Sequence, residues 1–314
     1  MIFTVIIFIW LFHSGRIDIS GLRTSFATDR WIWLISGFTL SLGCLIIPAI
    51  RWHLVLKSQE SDIRFVQVLR WTWIGFFFKI FVPGGLGLDM TRGFYLMSNR
   101  KVKRLSSLST VLMDRIIGLH SLLMVGFVSL TVYFLISDDS NRLAFFSWVL
   151  LSVSMLLIFC LAVTMVSRRI GKILRKLVPV RFRQSYDGLV HLYRSNRRSF
   201  FLIYGISLVN ALLNVFVFTF AGRALGYSVP IWIASVAVPL MTLSSLIPLT
   251  PGGLGIGEAV TAEFMSSLQY SGGGSVSLLM RMMFYFWALF GGVLFLMGQR
   301  KGLPGMEAIG EKPS

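Results

Sequence analysis

Charge is scarce in this chain and lopsided in sign. Of 314 residues only 14% are Asp, Glu, Lys or Arg, and 13 acids stand against 30 Lys and Arg. Soluble domains carry about 25% charged residues, so a soluble surface is excluded. Cysteine is scarcer still: Cys44 and Cys160 both sit inside apolar runs, which rules out a disulfide framework and reads as two buried small hydrophobes. The histidines His13, His53, His120 and His191 lack metal-ligand spacing, and there is no GxSxG, nucleophile–base constellation or phosphate-binding P-loop. These absences argue against a familiar hydrolase or ATPase, and no metal or cofactor is expected.

What is abundant is apolar. Hydrophobic residues make up 55% of the chain, with 27 Phe and 9 Trp, at a mean hydropathy of +0.75. Repeated apolar runs of about 20 residues, the length a helix needs to span a bilayer, indicate one all-α polytopic membrane domain over 1–314. In that setting the net charge of +17 belongs to short loops that orient the spans and attract anionic headgroups. No basic, aromatic-interleaved domain is left over for nucleic acid. Membrane lipids are the expected partners, and nucleic acid is not.

Six spans are expected, at 31–50, 105–136, 144–166, 200–221 and 276–298, with a weak first one at 2–12. The run at 2–12 lacks both the basic n-region and the cleavage site of a signal peptide. Two further runs, 65–82 and 231–249, end in Pro and Gly and read as re-entrant or broken helical hairpins. The connections 51–64, 92–104, 168–199 and 300–314 hold 21 Lys and Arg, whereas 14–30, 137–143, 222–230 and 270–277 hold 5. The first set is thereby placed in the cytoplasm, with both termini, in a plasma membrane. The basic connection 168–199 has amphipathic helical spacing and reads as a surface-lying topology anchor.

The pentapeptide PGGLG occurs at 83–87 and again at 251–255. Asp89 follows the first copy and Glu258 the second, and an arginine inside an apolar span lies 32 and 30 residues after each proline, at Arg115 and Arg281. Pro83 and Pro251 end a helix, and Gly84, Gly85, Gly87, Gly252, Gly253 and Gly255 let the backbone turn sharply. Two units, about 1–143 and 144–314, each with three spans and one hairpin, would have opposite topology and bring the two turns toward the bilayer middle. Discontinuous helices mark the binding site in transporters built that way. The helix start beyond such a turn suits an anionic group such as a phosphate.

Ionisable residues in apolar surroundings are Arg70, Lys79, Arg115 and Arg281, with Asp89, Asp114, Glu258 and Glu263. A charge at a helix centre costs about 2.5–3.5 kcal/mol to insert, so these should face partners or a watery cavity. Asp114 and Arg115, being adjacent, point about 100° apart and need separate partners. Asp89 and Arg92 are spaced for a local pair, though Arg92 reads equally as a cytoplasmic anchor. Glu258 reads as a helix cap or a site residue, and Asn210 with Asn214 as an interhelical hydrogen-bonding face.

These residues resemble the flippase-like membrane region of lysylphosphatidylglycerol synthases over nearly the whole chain. One block comprises Arg51-Trp52, 75–78 (GFFF), the first PGGLG, Asp89, Arg92, 111–115 (VLMDR) and Gly118-Leu119; the other comprises 247–255 (IPLTPGGLG), Glu258 and Arg281. The chain departs from the family's common residues at Lys79, Leu88 and Gly257. The resemblance implies lipid translocation through a path lined by Lys79, Asp89, Arg92, Asp114, Arg115, Glu258 and Arg281, with lipid-modifying enzymes as further partners. The headgroup would be anionic, aminoacylated, or part of a polyprenyl-linked or glycolipid. About 16 residues follow the last span, so aminoacyl transfer is not expected from this polypeptide and the protein is not expected to be an enzyme. Two alternatives stand beside this reading. One is a membrane enzyme or enzyme subunit using Asp89 or Asp114 as general base on a lipid-linked substrate, and the other is a small-solute transporter.

Overall fold

A computed structural model describes residues 30–59, 61–98, 104–136 and 197–300, with His13, Arg183 and Asp187. The expected spans at 2–12 and 144–166 and nearly all of the basic connection 168–199 lie outside the described residues. Those residues form eight helices and no extended strand. In chain order they are α1 (Trp31–Ser58), α2 (Phe65–Phe81), α3 (Gly87–Ser98), α4 (Arg104–Ile136), α5 (Arg197–Ala224), α6 (Ile231–Ser244), α7 (Ile256–Ser267) and α8 (Gly273–Arg300). Their lengths run 28, 17, 12 and 33 residues in the first four and 28, 14, 12 and 28 in the second. The order long, short, turn, short, long thus occurs twice.

Among the described residues four helices are long and apolar enough to cross a membrane, over Trp31–Ser58, Thr110–Tyr133, Arg197–Ala224 and Gly273–Gly298. They carry outward-facing large apolar side chains, such as Phe201 and Leu296, each 61% exposed, as expected of a surface facing hydrocarbon rather than water. Helix α1 does not end at Ile50 but runs eight residues further. Arg51, which sequence spacing assigns to a loop, therefore lies on a helix and is buried, and Arg92 on α3 is buried as well. Neither is a loop cation, and the loop-charge asymmetry survives their removal.

Helix α2 packs against both α3 and α8, and α5 against α1, α4 and α6. At the α1–α2–α8 junction, Trp73 Nε1 donates to the Trp287 carbonyl at 2.8 Å, and Trp287 Nε1 donates to the Phe38 carbonyl at 3.1 Å. Arg70 on α2 donates to the Leu294 carbonyl at 3.1 Å, so its charge caps backbone at the α8 surface. The apolar core gathers Val217, Phe218, Ile233, Val236 and Phe264 from α5, α6 and α7, with Tyr133 stacked on Trp232 at its edge. Cys44 is buried there as a free thiol. A shorter-range polar contact joins α7 and α8, where the Thr261 and Ser277 hydroxyls meet at 2.9 Å.

Gly291 lets α8 approach α2 so closely that a Cβ there would lie 2.1 Å from the Trp73 carbonyl oxygen, whereas a Cβ at Gly205 would meet nothing within 4 Å. Overpacking costs about 1–3 kcal/mol. Gly291→Ala should therefore lower the thermal unfolding midpoint of the detergent-solubilised protein, and Gly205→Ala should not.

Candidate functional site

The first PGGLG copy ends its incoming helix directly, whereas α6 stops at Ser244 and residues 245–250 separate it from Pro251, so Pro83 ends a helix as expected and Pro251 does not. Val82 precedes a proline, which disfavours helical geometry, and it leaves α2 extended at φ −86°, ψ 130°. Both glycine pairs then take left-handed backbone, at φ 65° and 65° for Gly84 and Gly85 and at 59° and 72° for Gly252 and Gly253. A side chain would be strained at all four. The turns meet: Pro83 and Pro251 form an antiparallel bridge, and the Gly252 N–H donates across it to the Val82 carbonyl at 3.2 Å.

Beside this junction lies a cavity of about 300 Å³. Its wall includes Lys79, Asp89, Arg92, Asp114, Arg115 and Arg281 from the expected path, together with Gly84, Gly85 and Gly252 from the turns. Glu258 stands behind the wall, fully buried, and Pro83, Gly87, Pro251, Gly253 and Gly255 are likewise absent from the lining. Glu263, counted among the membrane acids from sequence, is exposed on α7 and outside the cavity. Among the described residues no three His, Cys, Asp or Glu side chains are grouped as metal ligands would be.

The charges fall into three clusters. Asp114 on α4 accepts from Arg51 Nε at 2.6 Å, Arg51 Nη2 at 2.9 Å and Arg92 Nη1 at 2.8 Å. Arg51 also reaches Ser207 on α5 at 3.3 Å, and Arg92 reaches Thr72 on α2 at 3.2 Å and the Pro48 carbonyl on α1 at 3.3 Å, lying over the Trp52 ring. One carboxylate thus ties five helices together. Sequence spacing misses Arg51 as a site residue because it follows an apolar run and looks like a loop start. The signal that marks it is Gly118, where a Cβ would lie 2.6 Å from Arg51 Nη1. The local Asp89–Arg92 pair does not form. Arg92 is drawn to Asp114 instead, because the α3–α4 packing puts that carboxylate within reach and Asp89 turns toward Arg115.

The second cluster closes the second turn. Glu258 accepts the Gly255 N–H at 2.8 Å and pairs with Arg281 Nε. Arg281 Nη1 donates to the Gly252 carbonyl at 2.7 Å, and Nη2 reaches Ser245 Oγ at 3.3 Å. The Gly252 carbonyl and the Gly255 N–H, both freed by the broken helix, thereby gain charged partners. Gly257 is required beside them, since a Cβ there would lie 2.8 Å from Arg281 Nη2. Arg281 does not snorkel outward, and Glu258 is both a helix cap and an ion-pair partner.

The third cluster is looser. Arg115 Nη1 pairs with Asp89 Oδ2, and their side chains stay 24% and 20% exposed within the cavity. Lys79, beside the first turn, has its stem 3.3 Å from where a Gly85 Cβ would stand and makes no hydrogen bond or ion pair among the described residues. The two halves therefore use matching positions differently: Glu258 and Arg281 hold a turn shut, while Asp89, Arg115 and Lys79 face open space. Asn214 donates to the Asn210 carbonyl of its own helix at 2.7 Å and does not bridge helices, leaving the Asn210 side-chain oxygen without a partner in the cavity wall. As for a general base, Asp114 is unsuited, because three guanidinium N–H groups occupy its two oxygens.

Breaking a buried ion pair costs about 3–5 kcal/mol, because the remaining charge is stranded. Asp114→Asn should therefore strongly destabilise the protein in thermal or detergent-induced unfolding, and Arg281→Ala should do likewise. Asp89→Asn, in a partly open pair, should cost measurably less than either. Equal losses from all three would contradict this division of roles.

Comparison with known proteins places the sequence in a family. Residues 1–291 match the lysylphosphatidylglycerol synthase TM region. The chain is also 25% identical over 293 residues to the UPF0104 membrane protein PH1989 of Pyrococcus horikoshii, with 82% of this chain and 84% of that protein covered. No solved structure matches the chain. With four long apolar helices around a charged cavity and a family match over all but its last residues, this chain belongs to the lysylphosphatidylglycerol synthase TM-region family as a multi-pass membrane protein.

Proposed function

We propose that the protein is a lipid translocase in which the cavity beside the two PGGLG turns shields a polar headgroup while the acyl chains stay in lipid. The observation that carries this reading is the meeting of the two turns at the Pro83–Pro251 bridge, against a cavity walled by charges on apolar helices. A volume of about 300 Å³ is at the small end of ligand sites, suited to a headgroup and not to a whole lipid. The hairpins α2–α3 and α6–α7 are read as re-entrant, belonging to two inverted repeats, about 1–143 and 144–314, in a plasma membrane with both termini cytoplasmic. The doubled helix order and the matching backbone of the two glycine pairs support the repeats. Alternating access would come from rocking one repeat against the other at the bridge. Lipid-modifying enzymes are the partners such a protein would serve.

Reconstituted in vesicles with fluorescent lipids of several headgroups, the protein should expose inner-leaflet dye to an external quencher. Asp89→Asn should slow this about tenfold, the equivalent of one lost charged hydrogen bond, with folding intact. If no headgroup in a broad panel moves, polyprenyl-linked lipids included, the translocase reading fails.

A further inference from the structure

The charges around the cavity do not balance, and the imbalance sits at one side chain. Five cations, Arg51, Lys79, Arg92, Arg115 and Arg281, face it, against Asp89 and Asp114 in the wall and Glu258 behind. Each of the three carboxylates is already engaged: Asp114 by two arginines, Asp89 by Arg115, and Glu258 by Arg281 and the Gly255 N–H. All four arginines are consumed in those pairs. Lys79 is the cation left over among the described residues of the wall, exposed to the cavity with three N–H donors and no acceptor.

An ammonium brought into such a space meets surplus positive charge and no free carboxylate. A phosphate meets the Lys79 ammonium, which stands in a cavity of surplus positive charge with every carboxylate already paired to an arginine, an otherwise unfavourable placement. We propose that the cavity selects a phosphate-bearing group of net negative charge, with Lys79 as its counter-ion, and discriminates against the same group once a cationic amine has been added. The proposal takes its setting from the translocase reading and narrows the headgroups that reading admits. Arginine pairing keeps the remaining cations from substituting for Lys79, because releasing one would strand a buried carboxylate.

Binding to the full chain in detergent tests this without any transport step. Short-chain phosphatidylglycerol, its lysylated form, short-chain phosphatidylcholine and glycerol phosphate would be titrated by calorimetry against wild type, Lys79→Gln and Lys79→Arg. Phosphatidylglycerol should bind wild type at least about tenfold more tightly than the lysylated lipid or phosphatidylcholine. Lys79→Gln should erase that preference, and Lys79→Arg should keep it. The lysylated lipid binding as well as its parent, or a preference that survives Lys79→Gln, would overturn the proposal; if that variant does not fold, the wild-type ratio decides.

Glycerol phosphate binding as tightly as the lipid would assign a soluble anion as the source, and weaker binding a lipid headgroup; charge selection by Lys79 stands in both cases. A failed translocation assay with the charge preference intact sinks the transport reading alone. Transport without charge preference sinks the selectivity proposal alone.

Discussion

A polar group in hydrocarbon has no water to turn to, so every backbone group that a broken helix releases must be answered from within the protein. That constraint organises this molecule around its second PGGLG turn. Arg281 answers the carbonyl of Gly252 and Glu258 answers the N–H of Gly255. The two side chains then satisfy each other. The N–H of Gly252 is met by the first turn itself. The contact between the two halves is thus part of how the second turn is made tolerable.

The same constraint explains why the most buried charges are the least available. Asp114 is reached by two arginines from different helices, and the arginines direct their other donors to α2, α1 and α5. Such a cluster is costly to assemble and more costly to break, which suits a hub that fixes how five helices pack. What is left for a ligand is the less constrained side of the cavity, where the Asp89–Arg115 pair is partly open and Lys79 stands alone. The two turns share one sequence and the same left-handed backbone at their glycine pairs, yet one is locked by its ion pair and the other borders open space.

Much of this is legible in the order of residues alone. Apolar run lengths locate four spans to within a few residues at most of their ends, and the repeated pentapeptide marks both turns and the acid and arginine following each. Two misreadings share a cause. Arg51 and Arg92 look like loop cations because they border polar stretches, and local spacing offers Asp89 as a partner for Arg92. A one-dimensional reading cannot see that α1 continues past Ile50 or that α3 delivers Arg92 to a carboxylate 22 residues away. Asn210 and Asn214 mislead similarly, since a side-chain amide can satisfy its own helix as readily as a neighbour.

The chain's own chemistry determined its class: the scarcity of charge, the apolar runs, and the two Pro-Gly-Gly turns, whose glycine pairs admit left-handed backbone. It also determined which residues needed an explanation, because an ionisable side chain in an apolar run is costly wherever it ends up. Only the tertiary structure decided which charges pair with which and which one is left without a partner. Ion pairing depends on distances of a few ångströms between helices far apart in sequence, and those distances are set by packing contacts such as Gly118 under Arg51 and Gly291 against Trp73.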